Sequence, residues 1–206
     1  IFETCIGSET TTFFDPGPFG VGLAKGSPSE KRALEAVLHR SHVILVTADE
    51  ASKLTQESDP IEAGRKLLHL RDGVTQWVAI KLGGKGSLFF QKGRSHVQHT
   101  PGFRVAVADT VGCGDSFAAA VAFGYLHKQD ETAKGVMELA NAVGAITATR
   151  CGAGRNVASI EEVKTLLENH NKRQFLQNGG SGIPAALELL RYTSKGSLEG
   201  EHVAAL

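Results

Sequence analysis

An α/β fold, with a mostly parallel sheet covered by helices on both faces, is what this sequence predicts, on three observations. Compact apolar runs rich in β-branched residues, "HVILV" at 42–46 and "QWVAIKL" at 76–82, have the composition of strands buried on both faces. Between and after them lie segments whose apolar residues recur at three-four spacing, the period of a helix packed along one side. Glycine and proline corners separate the two kinds of segment, and 206 residues suffice to bury a real core. Strands that alternate with helices need crossover connections, and ligands in such sheets bind at the carboxyl ends of the strands.

The elements are expected in this order. Residues 10–20, "TTTFFDPGPFG", read as a short strand stopped at Asp15-Pro16-Gly17-Pro18, because proline cannot donate to a ladder and glycine permits the turn. A helix is expected over 29–39, with Ser29 as its cap and Leu34, Val37 and Leu38 on one face. The strand at 42–46 comes next, then a helix over 60–71 with Pro60 in the first turn and Ala63, Leu67 and Leu70 together. The strand at 76–82 leads through the glycine turn of "GGKGSLFFQKG" into a further strand. A strand end is expected at 105–108, and helices at 116–128, 131–149 and 160–169. Phe117, Ala120, Val121, Gly124 and Tyr125 share a face of the first of these, as Val136, Leu139, Ala140 and Val143 do of the second. Trp77, inside a buried-strand pattern, reads as core rather than as a binding platform. Residues 171–206 differ: they are polar, broken by "NGGSG", and hold one expected short helix at 183–192.

Composition narrows the function classes. Lys plus Arg equals Asp plus Glu at 22 each, so net charge is zero and there is no basic surplus to hold nucleic acid. No apolar run approaches the length of a membrane span. Cys5, Cys113 and Cys151 are too scattered for a disulfide framework or a zinc site, which predicts a reducing, intracellular compartment. The eight histidines show no metal-ligand spacing; His96 and His99 merely share a polar stretch.

The chemistry concentrates at 109–117, "DTVGCGDSF", ahead of a strongly apolar helical run. Gly112 and Gly114 let the backbone turn tightly and approach a ligand without side-chain clash. The helix N-terminus that follows presents unpaired N–H groups and a positive dipole end, which together suit a phosphoryl group. Asp115 at that mouth has two readings. It is a helix-capping aspartate, or a general base taking a proton from a hydroxyl that attacks the phosphoryl.

Asp109-Thr110-Val111-Gly112-Cys113-Gly114-Asp115 resembles the Asp-Thr-x-Gly-Ala-Gly-Asp signature of the pfkB family of carbohydrate and nucleoside kinases, which have the ribokinase-like fold. Other pieces appear in the family's order. "FDPGP" resembles its Asp-Pro-Asn strand end, "EASKLT" at 50–55 its acidic helix, "KLGGKG" at 81–86 its Thr-Leu-Gly-x-x-Gly nucleotide loop, and "ANAVGAITATRCGAG" at 140–154 its adenine-side helix and following loop. The resemblance, strongest to plant and plastid members, covers about residues 10–170. It implies a three-layer α/β/α ribokinase-like sandwich, with 1–170 as the C-terminal, nucleotide-binding part of the kinase domain and 171–206 as a polar tail. It also implies a front portion, with the lid and most sugar contacts, lying ahead of Ile1.

By this resemblance the chain is an ATP-dependent kinase acting on a hydroxyl of a sugar or sugar phosphate, with Asp115 as catalytic base. A nucleoside kinase and a kinase-like scaffold without turnover are the alternatives. Backbone N–H groups of Gly112, Cys113 and Gly114 would form the anion hole. Lys81, Gly83 and Gly86 would line the ATP, with Asn141 near the adenine, and Glu50 would help to organise Mg²⁺. Asp109 would help to hold an activating K⁺, with carbonyls of Val111, Thr147, Arg150 and Gly152, and Asn156 nearby. The partner implied is a small sugar, with no nucleic acid or membrane contact and with a homodimer or larger assembly as an option. The compartment implied is the chloroplast stroma, otherwise the cytoplasm.

The sequence departs from the family in three places. Thr47 stands where the Asn-x-x-Glu motif has Asn, Lys81 stands where the nucleotide loop has Thr, and Cys113 stands where the signature has Ala. Cys113 is either a small apolar substitute or, with its thiol acidified at a helix N-terminus, one half of a Cys113–Cys151 redox switch. Arg155 in "GRN" is either a phosphate contact or a surface arginine.

Overall fold

Five strands run side by side in chain order, β1 Phe13–Phe14, β2 Val43–Thr47, β3 Trp77–Lys81, β4 Ser87–Gln91 and β5 Gln98–Thr100. The computed structural model describes residues 10–127, 133–178 and 184–195. The chain divides into two units, Ile1–Pro101 and Gly102–Leu206, and this sheet belongs to the first. The pairings β1–β2 and β2–β3 are parallel, while β3–β4 and β4–β5 are antiparallel. The parallel pairs require crossovers, and helices supply them. The glycine turn after β3 allows a direct hairpin instead.

The helices of this unit are α1 Gly17–Gly22, α2 Pro28–His39, α3 Ala48–Thr55 and α4 Pro60–Leu68. One face of the sheet, from Ile44, Val46, Val78, Ile80, Leu88 and Phe90, joins Leu34 and Leu38 of α2, Ala51 of α3 and Leu67 of α4 in a single core. The alternate residues Val43, Leu45, Trp77, Ala79 and Phe89 are buried too, which is why the strands read as continuous apolar runs. Trp77 is core as expected, 3% exposed, with its ring edge-on to Phe89 at 4.9 Å. Gly64 of α4 lies so close to Phe90 that a Cβ there would fall 2.2 Å from the ring.

The cap of α2 is Ser27, not Ser29. Pro28 takes the first helical position, where its missing N–H costs nothing. Ser27 Oγ then accepts from Glu30 N at 3.4 Å, while Glu30 Oε2 accepts from Ser27 N at 2.7 Å. Asp59 closes α4 by accepting from Ile61 N at 2.9 Å.

The second unit contains α5 Cys113–Leu126, α6 Ala133–Thr147, α7 Ile160–Asn178 and α8 Pro184–Lys195. Residues 105–108 are not a strand. The amides of Ala108 and Asp109 both donate to one carbonyl, Ala148 O, at 2.8 and 3.2 Å, a clamp at the end of α6 rather than a ladder. Helix α5 begins three residues earlier than expected, so the Gly-x-Gly-Asp run is itself the first turn. Helix α7 continues through residue 170 to Asn178, and α8 lies against α6 with Ala186 and Leu189 buried. Cys5, Lys128, Glu131, the end of the "NGGSG" break and the tail past Lys195 lie outside the described residues. No described helix is long and apolar enough to cross a membrane.

Candidate active site

The residues singled out in the sequence fall into two groups, one in each unit. In the second unit, Gly112 forms the N-cap of α5 with φ +80°, a left-handed conformation that glycine adopts without strain. A Cβ on Gly112 would come within 2.9 Å of Ala153 Cβ, so glycine is also what lets the turn pack against the loop after α6. No side chain caps α5. The first-turn N–H groups of Cys113, Gly114 and Asp115 therefore lack the side-chain acceptor that closes most helix starts. Cys113 N is tied back to Thr110 O at 3.2 Å. Asp115 is exposed on the same turn.

Asp109 fastens this turn to the loop that follows α6. Its Oδ1 accepts from Val111 N at 3.1 Å and its Oδ2 from Gly152 N at 2.8 Å. These bonds, Gly152 first and Val111 second, hold its carboxyl below the usual carboxylate range. The other residues expected at a cation loop lie at the last residue of α6 and along the loop after it. Thr147 Oγ1 donates to Val143 O at 2.9 Å and accepts from Ala158 N at 3.3 Å. Asn156 Nδ2 donates to Cys151 O at 2.6 Å. The Arg150 guanidinium is paired with the Glu162 carboxylate and donates to Val157 O at 3.4 Å. Thus Asp109, Val111 and Gly152 are joined directly, while Arg150 serves the start of α7.

A cavity of about 480 Å³ opens beside Asp115, with Ser116, Ala119, Phe123, Val143 and Val157 among its walls. Ser116 Oγ is buried there without a hydrogen-bond partner among the described residues. The sequence reading passed over Ser116; its position directly after the aspartate was the available signal. Asn141 is buried on α6. The side chain of Arg155 lies outside the described residues.

Of the two readings of Cys113, the acidified thiol is the one its surroundings oppose. Its thiol is pushed up from the ordinary value, first by burial and then by the Asp109 carboxylate, so it is a protonated, half-buried thiol rather than an acidified one. Its Sγ lies 3.9 Å from Asp109 O. Cys113 and Cys151 are both free.

In the first unit, the carboxyl ends of β1, β2 and β3 bring Asp15, Thr47 and Lys81 to one edge of the sheet. Lys81 Nζ binds Asp15 Oδ2 at 2.6 Å. Thr47 and Glu50 cap α3 reciprocally, with Glu50 Oε2 accepting from Thr47 N at 2.7 Å and Thr47 Oγ1 from Glu50 N at 3.2 Å. The Thr at this position thus has a structural use, closing a helix that starts directly from β2. After Lys81 the chain makes a short turn at Gly83–Lys85, with Gly83 at φ +59° and Gly86 at φ +95°.

Sheet and helices together have the ribokinase-like α/β/α fold. A candidate ribokinase II from E. coli superimposes with a TM-score of 0.71 at 24% identity, over 82% of this chain and 52% of that one. The same E. coli protein, solved in complex with ATP and Mg²⁺, matches equally well. The profile described as pfkB family carbohydrate kinase matches residues 22–160, and the chain belongs to that family. It is 32% identical over 151 residues to "Probable fructokinase-4" of Arabidopsis thaliana, covering 69% of this chain and 45% of that protein. It is 29% identical over 114 residues to the ribokinase of Mus musculus, covering 54% of this chain and 35% of that protein. The chain therefore spans less than half the length of these two relatives.

Proposed function

We propose that this chain carries the phosphoryl-transfer machinery of an ATP-dependent kinase that phosphorylates a hydroxyl of a sugar or sugar phosphate. The reading rests above all on the start of α5, where an uncapped helix N-terminus and an exposed carboxylate share one turn. Asp115 takes the proton of the acceptor hydroxyl as its oxygen attacks the γ-phosphoryl, and ADP leaves. The N–H groups of Gly112 and Gly114, joined by that of Cys113 when it turns from Thr110 O, stabilise the charge that spreads over the transferring group. In this reading Lys81, Gly83 and Gly86 meet the nucleotide and Asn141 lies near its adenine. Glu50 would help to organise Mg²⁺, and Mg²⁺ would neutralise the polyphosphate charge. Asp109 and carbonyls of Val111, Thr147, Arg150 and Gly152, with Asn156, hold K⁺.

The family membership and the E. coli relative solved with ATP and Mg²⁺ support the nucleotide. Residues 1–170 are then the nucleotide-binding part of the kinase domain and 171–206 an appendage. The likeness to a plant fructokinase supports a plant-type enzyme, and its proposed compartment is the chloroplast stroma, otherwise the cytoplasm.

The experiment is ATP consumption with Mg²⁺ and K⁺ over a panel of sugars, sugar phosphates and nucleosides, with Asp115→Asn as control. Turnover with a sugar or sugar phosphate, lost by at least ~100-fold in the variant, is the expected result. Turnover confined to nucleosides would move the acceptor class. Nucleotide binding without any turnover, in protein shown to be folded, would replace the kinase with a kinase-like scaffold.

A further inference from the structure

One face of the sheet changes character along its strands. Towards the amino ends of β2 and β3 it carries Val43, Leu45, Trp77 and Ala79, all buried and apolar. At the other end the register runs Thr47 opposite Lys81, Lys81 opposite Ser87, and Ser87 opposite Thr100. Residues paired across strands project to the same face, so this is one polar row of four across four strands. Asp15, just past the end of β1, reaches over the end of β2 to Lys81. The side chains of the pair are 13% and 25% exposed, well below the surface pairs elsewhere in this unit. Asp15 Oδ1 also accepts from Gly17 N at 3.4 Å, which fixes the carboxylate to the start of α1. Ser87 is wholly buried, and its hydroxyl has no partner among the described residues, so the row contains a polar group that its neighbours leave unsatisfied. Immediately beyond Lys81 the loop is open, with nothing within 4 Å of the positions a Cβ would take at Gly83 and Gly84.

A cation on a long flexible stem, held by a carboxylate that is itself anchored, beside an open glycine loop, is arranged for exchange. We propose that Asp15 and Lys81 form a charge latch: in the empty protein the ammonium is stored on Asp15, and the phosphate of an entering nucleotide takes it over. The latch deepens the kinase reading above and rests on it. Asp15 thereby sets nucleotide affinity without touching the nucleotide. It keeps an unpaired ammonium from being left in a half-buried position, and it makes each incoming anion displace a carboxylate. The recognised chemistry is a phosphate ester, which either a nucleotide or a sugar phosphate carries. The loop that follows Lys81 favours the nucleotide.

The test is calorimetric titration of the full chain with Mg²⁺-free ADP and, separately, with ribose 5-phosphate. The proteins are wild type, Asp15→Asn, Lys81→Met and the double variant. Asp15→Asn is expected to tighten ADP binding about 3- to 10-fold at low ionic strength, with the gain shrinking as salt screens the charges. Lys81→Met is expected to weaken ADP about 10-fold, as loss of a charge-assisted contact does. In the Lys81→Met background the Asp15 substitution should change affinity by less than about twofold, because the two act through one contact. Asp15→Ser, which keeps an acceptor for Gly17 N, serves if Asp15→Asn does not fold. Unchanged or weaker ADP binding in the Asp15 variants overturns the latch, as does equal tightening without Lys81. Tightening confined to ribose 5-phosphate overturns its assignment to the nucleotide. Failure of the wild type to bind ADP at all would overturn the nucleotide-binding reading itself, and the latch with it.

Discussion

Helices α3 and α5 begin in opposite ways. At α3 Thr47 and Glu50 occupy each other's backbone amides, so the first turn is complete without any outside group. Helix α2 is finished in the same manner by Ser27 and Glu30. At the start of α7, Ser159 and Glu162 likewise exchange bonds at 3.1 and 3.4 Å. At α5 the cap is Gly112 in the left-handed region, no side chain closes the turn, and the one carboxylate in it is exposed. Closing a helix with a side chain typically contributes about 1 kcal/mol, so leaving α5 open forgoes stability that this chain takes elsewhere. The concession falls where the sequence signature lies, and an open N-terminus is what an anion can use.

The largest effect that would test this contrast is at Gly112. Replacement by alanine forces a side chain into left-handed backbone and against Ala153, and should cost about 2–4 kcal/mol by urea denaturation. A loss below ~0.5 kcal/mol would show that the turn relaxes freely and that its geometry is not built in.

The second effect concerns a carboxylate placed inside a helix rather than at its start. Glu138 on α6 is buried, its Oε2 has no partner among the described residues, and Lys134 Nζ stands 3.8 Å from its Oε1. Burial raises its pKa from 4.5 to about 7, against the weaker pull of Lys134. The folded protein holds this proton more tightly than the unfolded chain. Its contribution is therefore complete below pH 4.5, falls as pH rises towards about 7, and is constant above. The fall amounts to at most about 3 kcal/mol, and Glu138→Gln should flatten it. The capping carboxylates Glu30 and Glu162 are shifted the other way, below the usual range, in each case chiefly by the side-chain bond to the capping serine.

Thr47→Ala should cost about 1 kcal/mol and Thr47→Ser much less, since the hydroxyl is what closes α3. Equal losses for the two would mean that the methyl group, not the cap, carries the effect. Smallest of all, breaking the exposed Lys53–Asp49 pair on α3 with Asp49→Asn should cost about 0.3–0.5 kcal/mol, and nothing in high salt. A larger, salt-insensitive loss would place part of the stability of α3 outside its cap.

Much of the molecule was legible because its signals are local. Within the runs at 42–46 and 76–82, positions 43–46 and 77–80 are apolar without a break, as a strand covered on both sides requires, and β2 and β3 fall within a residue of the two runs. The three-four spacing of Phe117, Ala120, Val121 and Gly124 likewise located α5, and all four are buried. The Gly-x-Gly-Asp run announced its turn, because glycine accepts without strain the left-handed backbone found at Gly112. What local pattern could not supply was where each chemical group finds its partner. Residues 105–108 look like a strand, yet their end is clamped by a single carbonyl 40 residues further on, Ala148 O. Cys113 stands at a helix start that by itself would acidify a thiol, yet burial and the Asp109 carboxylate push it the other way. Asp15 read only as a turn residue until the chain brought it to Lys81, 66 positions away. The sequence by itself determined the period, burial and turn chemistry of each segment, since these depend on neighbours along the chain. The tertiary structure alone decided charge pairing and thiol acidity, because those depend on groups that meet only when distant segments pack.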